Sequence, residues 1–165
     1  MTLFPYTTLF RSVYHNRSRL AADIEAELGA RHVAKDELLR QADHLVLVLP
    51  YSAESHHCIA AAELALMKPT ATLVNIARGG IVDEDALAAA LRERRIAAAG
   101  LDVFEGEPRV NPALLSLPNV VLTPHIASAT LPTRLAMAGL AADNLVTALT
   151  GATPPTPLNP EVLSA

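Results

Sequence analysis

Four short apolar runs recur along this chain: HLVLVLP at residues 44–50, TATLVNIA at 70–77, IAAAGLDVF at 96–104 and NVVLTP at 119–124. The first is continuous and β-branched-rich, the pattern of a strand buried on both faces, and the others repeat the type. Stretches with the helical period lie around them: SRLAADIEAEL ahead of the first run, AAELALM after it, DEDALAAALRERR after the second and LPTRLAMAGLAADNLVTALTG after the last. Strand, helix, strand in that rhythm requires right-handed crossovers and predicts an α/β fold with a doubly wound parallel sheet. Asp83 precedes one of these helices, with Glu84 and Asp85 in its first turn and Arg92, Arg94 and Arg95 at its far end. Capping and the helix dipole both favour that order of charge. VYH at 13–15 reads as the stub of one more strand.

The opening MTLFPYTTLFRS differs from everything after it. It has too few apolar residues for a membrane span, no basic region ahead of its apolar stretch, and Pro5 in the middle of any strand. Residues 2–12 look like the in-frame translation of a sequencing-library adaptor. The expected organisation is therefore a non-native segment at 1–12, a truncated dinucleotide-binding domain at 13–150 and an extended tail at 151–165. Four prolines in GATPPTPLNPEVL favour that extension.

Composition narrows the classes further. The 165 residues suffice for one domain with a substantial core. A net charge of −4, without a long Lys/Arg block, disfavours nucleic acid as a partner. One cysteine, Cys58, excludes an internal disulfide framework and fits a reducing cytoplasm. His56, His57 and Cys58 are metal-ligating types in a row, but adjacent residues rarely converge on one ion and no second C-x-x-C or H-x-x-H pair accompanies them. No metal is expected.

Three motifs follow predicted strands, at the sheet edge where open parallel sheets bind ligands. NIARGG places Arg78 beside two glycines, LDVFEGEP carries Asp102, Glu105 and Glu107, and TPHIASAT places His125 after the last run. A guanidinium can grip a carboxylate with two hydrogen bonds, and an imidazole can pass a proton near neutral pH. Each alone also suits an ordinary solvated loop; three at successive strand ends make a constellation. The seven glycines show no G-x-G-x-x-G spacing, so the usual pyrophosphate loop is not among them.

With those motifs in view, residues 13–163 resemble the D-isomer-specific 2-hydroxyacid dehydrogenases, most of all their glyoxylate/hydroxypyruvate reductase branch. MKPTATLVNIARGGIVDEDALAAAL, AAGLDVFEGEP, LPNVVLTPHIASAT and AADNLVTALTG carry the match. The resemblance implies a partial Rossmann-type sheet lacking its first strand and glycine-rich loop. It implies a catalytic trio of Arg78, Glu107 and His125, with Asp102, Pro50, Ile76 and Ala127 at cofactor-contacting positions. Arg78 anchors the substrate carboxylate, protonated His125 serves the developing alkoxide, and Glu107 supports that imidazolium. The reaction implied is reduction of a small 2-oxo acid by a nicotinamide cofactor. Phosphoglycerate, D-lactate and 2-ketogluconate types, and a dinucleotide-sensing corepressor, are the alternatives. A homodimeric parent is implied as well.

The stub VYHNRSR bears on the cofactor. NAD users normally place an acid at the end of the second strand for the ribose 2′-hydroxyl. Here Arg17, Ser18 and Arg19 follow with no acid, which suits a 2′-phosphate and predicts NADP over NAD. The chain as written, without a central strand or substrate domain, is expected to be inactive.

Overall fold

The computed structural model describes residues 11–164. Residues 1–10, which hold most of the segment expected to be foreign, lie outside the described residues; Ser12, its last residue, begins a strand. The chain divides into two compact units, one running through Pro124 and one from His125 onward.

The first unit contains two parallel sheets. Strands β1 (Ser12–Tyr14) and β2 (Ala30–His32) pair with Val13 opposite Arg31, joined by helix α1 (Ala22–Leu28). A four-stranded sheet follows in sequential order: β3 (His44–Leu47), β4 (Thr72–Asn75), β5 (Ala98–Leu101) and β6 (Val120–Leu122). Helices α2 (Lys35–Gln41), α3 (Ala61–Leu66), α4 (Glu84–Arg92) and α5 (Pro112–Leu115) complete the unit. All four predicted apolar runs contain a strand of this sheet, and VYH contributes to β1.

Register decides which side chains meet. Leu45, Leu73, Ala99 and Val120 form one row across the strands; Leu47, Asn75, Leu101 and Leu122 form another on the same face. Leu64 and Met67 around α3 and Leu87, Ala88 and Leu91 of α4 join these rows in one core. Leu64, Leu73, Leu87 and Leu91 are at most 1% exposed, and such burial stabilises by about 1.5–3 kcal/mol per side chain. The opposite row, Val46–Val74–Gly100–Val121, behaves differently: Val46 is 51% and Val121 68% exposed. Burial of the HLVLVLP run on both faces is therefore corrected. Period-2 exposure appears because α3 and α4 cover one face and leave these valines open.

Local chemistry sets the helix ends. The Asp83 carboxylate accepts the Ala86 N–H at 3.0 Å, capping α4 as expected. Glu63 reaches back to the Ala60 N–H at 3.1 Å and receives Lys35 Nζ at 2.8 Å, linking α3 to the start of α2.

The second unit holds helix α6 (Leu131–Leu149), capped by Thr130, none of whose residues is buried. Its Asn144 accepts the Thr156 N–H at 3.1 Å and donates to Thr156 Oγ1 at 2.9 Å, fixing the start of the tail. The tail was expected to be extended throughout; it ends instead in a 3-10 helix over Pro160–Ser164. Proline is tolerated in a first helical turn, where its missing N–H has no helical partner to serve. No helix among the described residues is long and apolar enough to cross a membrane.

Candidate active site

The loop after β4 is built by one buried amide. Asn75, 2% exposed, accepts the Ala77 N–H on Oδ1 at 3.1 Å and donates from Nδ2 to the Arg78 carbonyl at 3.0 Å. This Asx turn stops the strand and folds the chain outward. It presents Arg78 at the surface, its Nη1 donating to the Ala77 carbonyl at 2.6 Å.

Gly79 then lies against the loop after β5. A Cβ built there would stand 1.9 Å from the Phe104 carbonyl oxygen, so only glycine allows the two backbones so close. Gly80, at φ +75°, completes the turn and accepts the His57 N–H at 2.7 Å. Three loops at the C-terminal ends of β3, β4 and β5 are thereby stitched together.

The β5 loop carries the acids. Asp102 is buried, accepts Thr123 Oγ1 at 2.5 Å, and its N–H donates to the Asn75 carbonyl at 3.0 Å. Glu105 pairs with His57 Nε2 at 2.9 Å, while its N–H donates to Glu84 Oε1 at 2.7 Å. Burial pushes the Glu84 carboxyl above its usual range, only partly countered by that N–H. Glu107 is exposed, and its Oε1 accepts the Phe104 N–H at 2.9 Å. Arg78 and Glu107 thus belong to neighbouring loops joined at the Gly79–Phe104 contact. His125 opens the second unit, exposed and in the left-handed region at φ +53°; Ala127 follows in the same exposed turn.

At the β1 end the structure separates three residues that adjoin in sequence. Arg19 is held by Glu25 through two hydrogen bonds, Nε to Oε1 at 2.8 Å and Nη2 to Oε2 at 2.7 Å. Tyr14 donates to the same carboxylate at 2.6 Å. The Arg19 guanidinium first and the Tyr14 hydroxyl second pull the Glu25 carboxyl down to about 2. Arg17 and Ser18 sit exposed in the bend between. Pro50 and Ile76 lie just past β3 and β4, both exposed, and the Pro50 carbonyl accepts the buried Ser55 hydroxyl at 3.0 Å.

Sequence reasoning did not reach Asn75 or Glu25, and read Glu84 only as a first-turn acid of α4, not as the acceptor of the Glu105 N–H. Asn two positions before a small residue at a strand end is an Asx-turn signal for the first. Glu25 finds Arg19 six residues upstream across a bend, and Glu84 finds the Glu105 N–H from a separate crossover.

Parallel strands whose C-terminal loops carry a guanidinium and carboxylates on the four-stranded sheet, and an N-R-S bend on the two-stranded one, are the pattern of a dinucleotide-binding α/β domain. The family described as "D-isomer specific 2-hydroxyacid dehydrogenase, NAD binding domain" matches residues 8–127, and the chain belongs to it. A glyoxylate reductase of Thermococcus onnurineus is 53% identical over 154 residues, 93% of this chain and 46% of that protein. Glyoxylate/hydroxypyruvate reductase B of Pectobacterium atrosepticum is 51% identical over 152 residues, 92% of this chain and 48% of that protein. Among solved structures, the NADPH-dependent glyoxylate/hydroxypyruvate reductase of Sinorhizobium meliloti, in complex with NADP and malonate, superposes with TM-score 0.80 at 39% identity. That match covers 88% of this chain and 44% of the other. The chain spans about half the length of the curated relatives it matches.

Proposed function

We propose that the protein carrying this chain reduces a small 2-oxo acid, such as glyoxylate or hydroxypyruvate, to the D-2-hydroxy acid. Bound reduced nicotinamide supplies the hydride. Arg78 grips the substrate carboxylate, for which an exposed guanidinium on a loop fixed by Asn75 is suited. His125 donates the proton that the alkoxide needs, and Glu107 stabilises the imidazolium. Pro50, Ile76, Asp102 and Ala127 contact the cofactor. The donor set fits such a group: a buried carboxylate, apolar residues past two strands and a basic bend at the end of β1. The observation that carries the reading is family membership combined with Arg78 and Glu107 on loops tied by the Gly79–Phe104 approach.

NADP is preferred over NAD in this proposal. Arg17 and Ser18 face the 2′-phosphate, and Arg19, tied to Glu25, holds the bend in shape. The NADP-bound relative supports the assignment. We also assign a homodimer, a cytoplasmic location and no nucleic-acid partner.

The test is steady-state kinetics on the full-length gene product, following nicotinamide absorbance with glyoxylate and hydroxypyruvate. His125→Gln is expected to lower kcat by about 10²–10⁴-fold, the usual worth of a positioned acid. Arg17→Ala is expected to raise KM for NADPH about tenfold or more, one charge-assisted contact, and to leave NADH nearly unaffected. Absence of turnover with either acid refutes the activity; a native preference for NADH refutes the cofactor assignment.

A further inference from the structure

We propose that His56, His57 and Glu105 form a binding site for a divalent first-row transition ion, with zinc the best fit. One ligand atom from each lies within 4.8 Å of the other two. Adjacent residues of an extended strand point to opposite sides and do not converge. Here the chain turns, with His57 in the left-handed region at φ +48°, and the two imidazoles stack at 3.9 Å between centroids. The hydrogen bond from His57 N–H to the Gly80 carbonyl, 2.7 Å, pins that conformation.

The third donor arrives from a separate crossover. His57 Nε2 and a Glu105 carboxylate oxygen are 2.9 Å apart, a hydrogen-bonded contact that a shared ion would replace with two metal–ligand bonds. A tetrahedral site with bonds of about 2.1 Å requires donors about 3.4 Å apart. The three donor atoms lie within 4.8 Å of one another, and the His56 and Glu105 side chains are exposed, so both have room to adjust to that spacing. His56 also has an outer partner: its Nδ1 is 3.1 Å from the Tyr51 hydroxyl. With Nδ1–H donating to that oxygen, Nε2 keeps its lone pair for metal, as in most protein metal sites.

The electrostatic setting favours a cation. His57 and Glu105 line an open cleft of about 690 Å³ that also contains Asp83, Glu84 and Asp85, against a single Arg109. Carboxylates grouped in a cleft raise the local cation concentration. Two imidazoles and a carboxylate suit zinc, cobalt or nickel far better than calcium or magnesium, which prefer all-oxygen sites. Three protein donors leave the fourth position of a tetrahedral ion to water. None of the three residues belongs to the set proposed above to touch substrate or cofactor. Ion binding would clamp the loop after β3 to the loop after β5.

The test uses the full 165-residue chain, titrated with Co²⁺ by visible absorption and with Zn²⁺ by calorimetry. One equivalent is expected to bind, with cobalt bands of low-coordinate geometry, and excess zinc should raise Tm by several degrees. His57→Gln and Glu105→Gln should each weaken binding at least tenfold, with far-UV circular dichroism reporting that both variants fold. Glu105 is half exposed, so that substitution disturbs packing least. His32→Gln, on the other sheet, should leave affinity unchanged. Absence of saturable binding in the folded chain overturns the proposal. So does retained affinity in both His57→Gln and Glu105→Gln, which would place the ion elsewhere.

Discussion

Replacing Gly79 by alanine tests the loop junction on which the candidate site rests. The added Cβ would meet three backbone atoms: Phe104 O at 1.9 Å, Phe104 C at 2.1 Å and Glu105 N at 2.6 Å. Real Cβ contacts essentially never fall below 3.0 Å, so the loops after β4 and β5 must separate by roughly 1 Å. Backbone atoms cannot swing aside as a flexible side chain can. Forced separation of this kind costs about 1–3 kcal/mol. It also strains the hydrogen bonds from Phe104 N–H to Glu107 and from Glu105 N–H to Glu84, each worth about 1 kcal/mol. Alanine gives back roughly 0.4–1 kcal/mol through the stiffer unfolded chain. The net expectation is a loss of about 3 kcal/mol, or about 6–12 °C in Tm for a chain of this size. Urea unfolding followed by circular dichroism measures it. Gly106→Ala is the internal control: nothing lies within 4 Å of its Cβ, and only the φ of +79° opposes it, at about 1–2 kcal/mol. If Gly79→Ala is no more damaging than Gly106→Ala, the close approach of the two loops is not what shapes this edge.

Other expectations follow from single groups. Asn75→Asp keeps an acceptor for the Ala77 N–H but sets a carboxylate oxygen against the Arg78 carbonyl, and should cost about 1–3 kcal/mol by the same unfolding assay. Glu25 has a folded-state value of about 2 against an ordinary 4.5, so the unfolded chain binds the proton more tightly and its stabilising effect is lost as pH falls through that interval. Glu25→Gln should flatten the acid limb of a stability–pH curve measured between pH about 5 and 2. Glu84 has the opposite sign: burial raises its value, the folded chain holds the proton longer, and stability declines as pH rises above the ordinary carboxylate range. Glu84→Gln retains an acceptor for the Glu105 N–H and should abolish that decline, seen as a Tm that no longer drops on going from mildly acid to neutral buffer.

The uncovered row Val46–Val74–Gly100–Val121 and the unburied helix α6 share a physical character. Both are apolar surfaces on elements whose hydrophobic pattern is that of buried ones.

What the amino-acid order determined by itself is local. Apolar runs of six to nine residues marked β3, β4, β5 and β6, and Asp83 with its acidic first turn marked the start of α4, because periodicity and capping act within a few residues of one another. NIARGG, LDVFEGEP and TPHIASAT were legible as motifs because each is a short contiguous run placed directly after an apolar one. By contrast, β2 is only Ala-Arg-His, too short and polar to signal a strand, and the helix KDELLRQ has little more to announce it. Tertiary structure alone decided that the valine row stays open. It alone brought His57 to Glu105 across 48 positions of sequence. Those outcomes depend on strand register and on where each crossover returns to the sheet, quantities fixed by packing between distant segments.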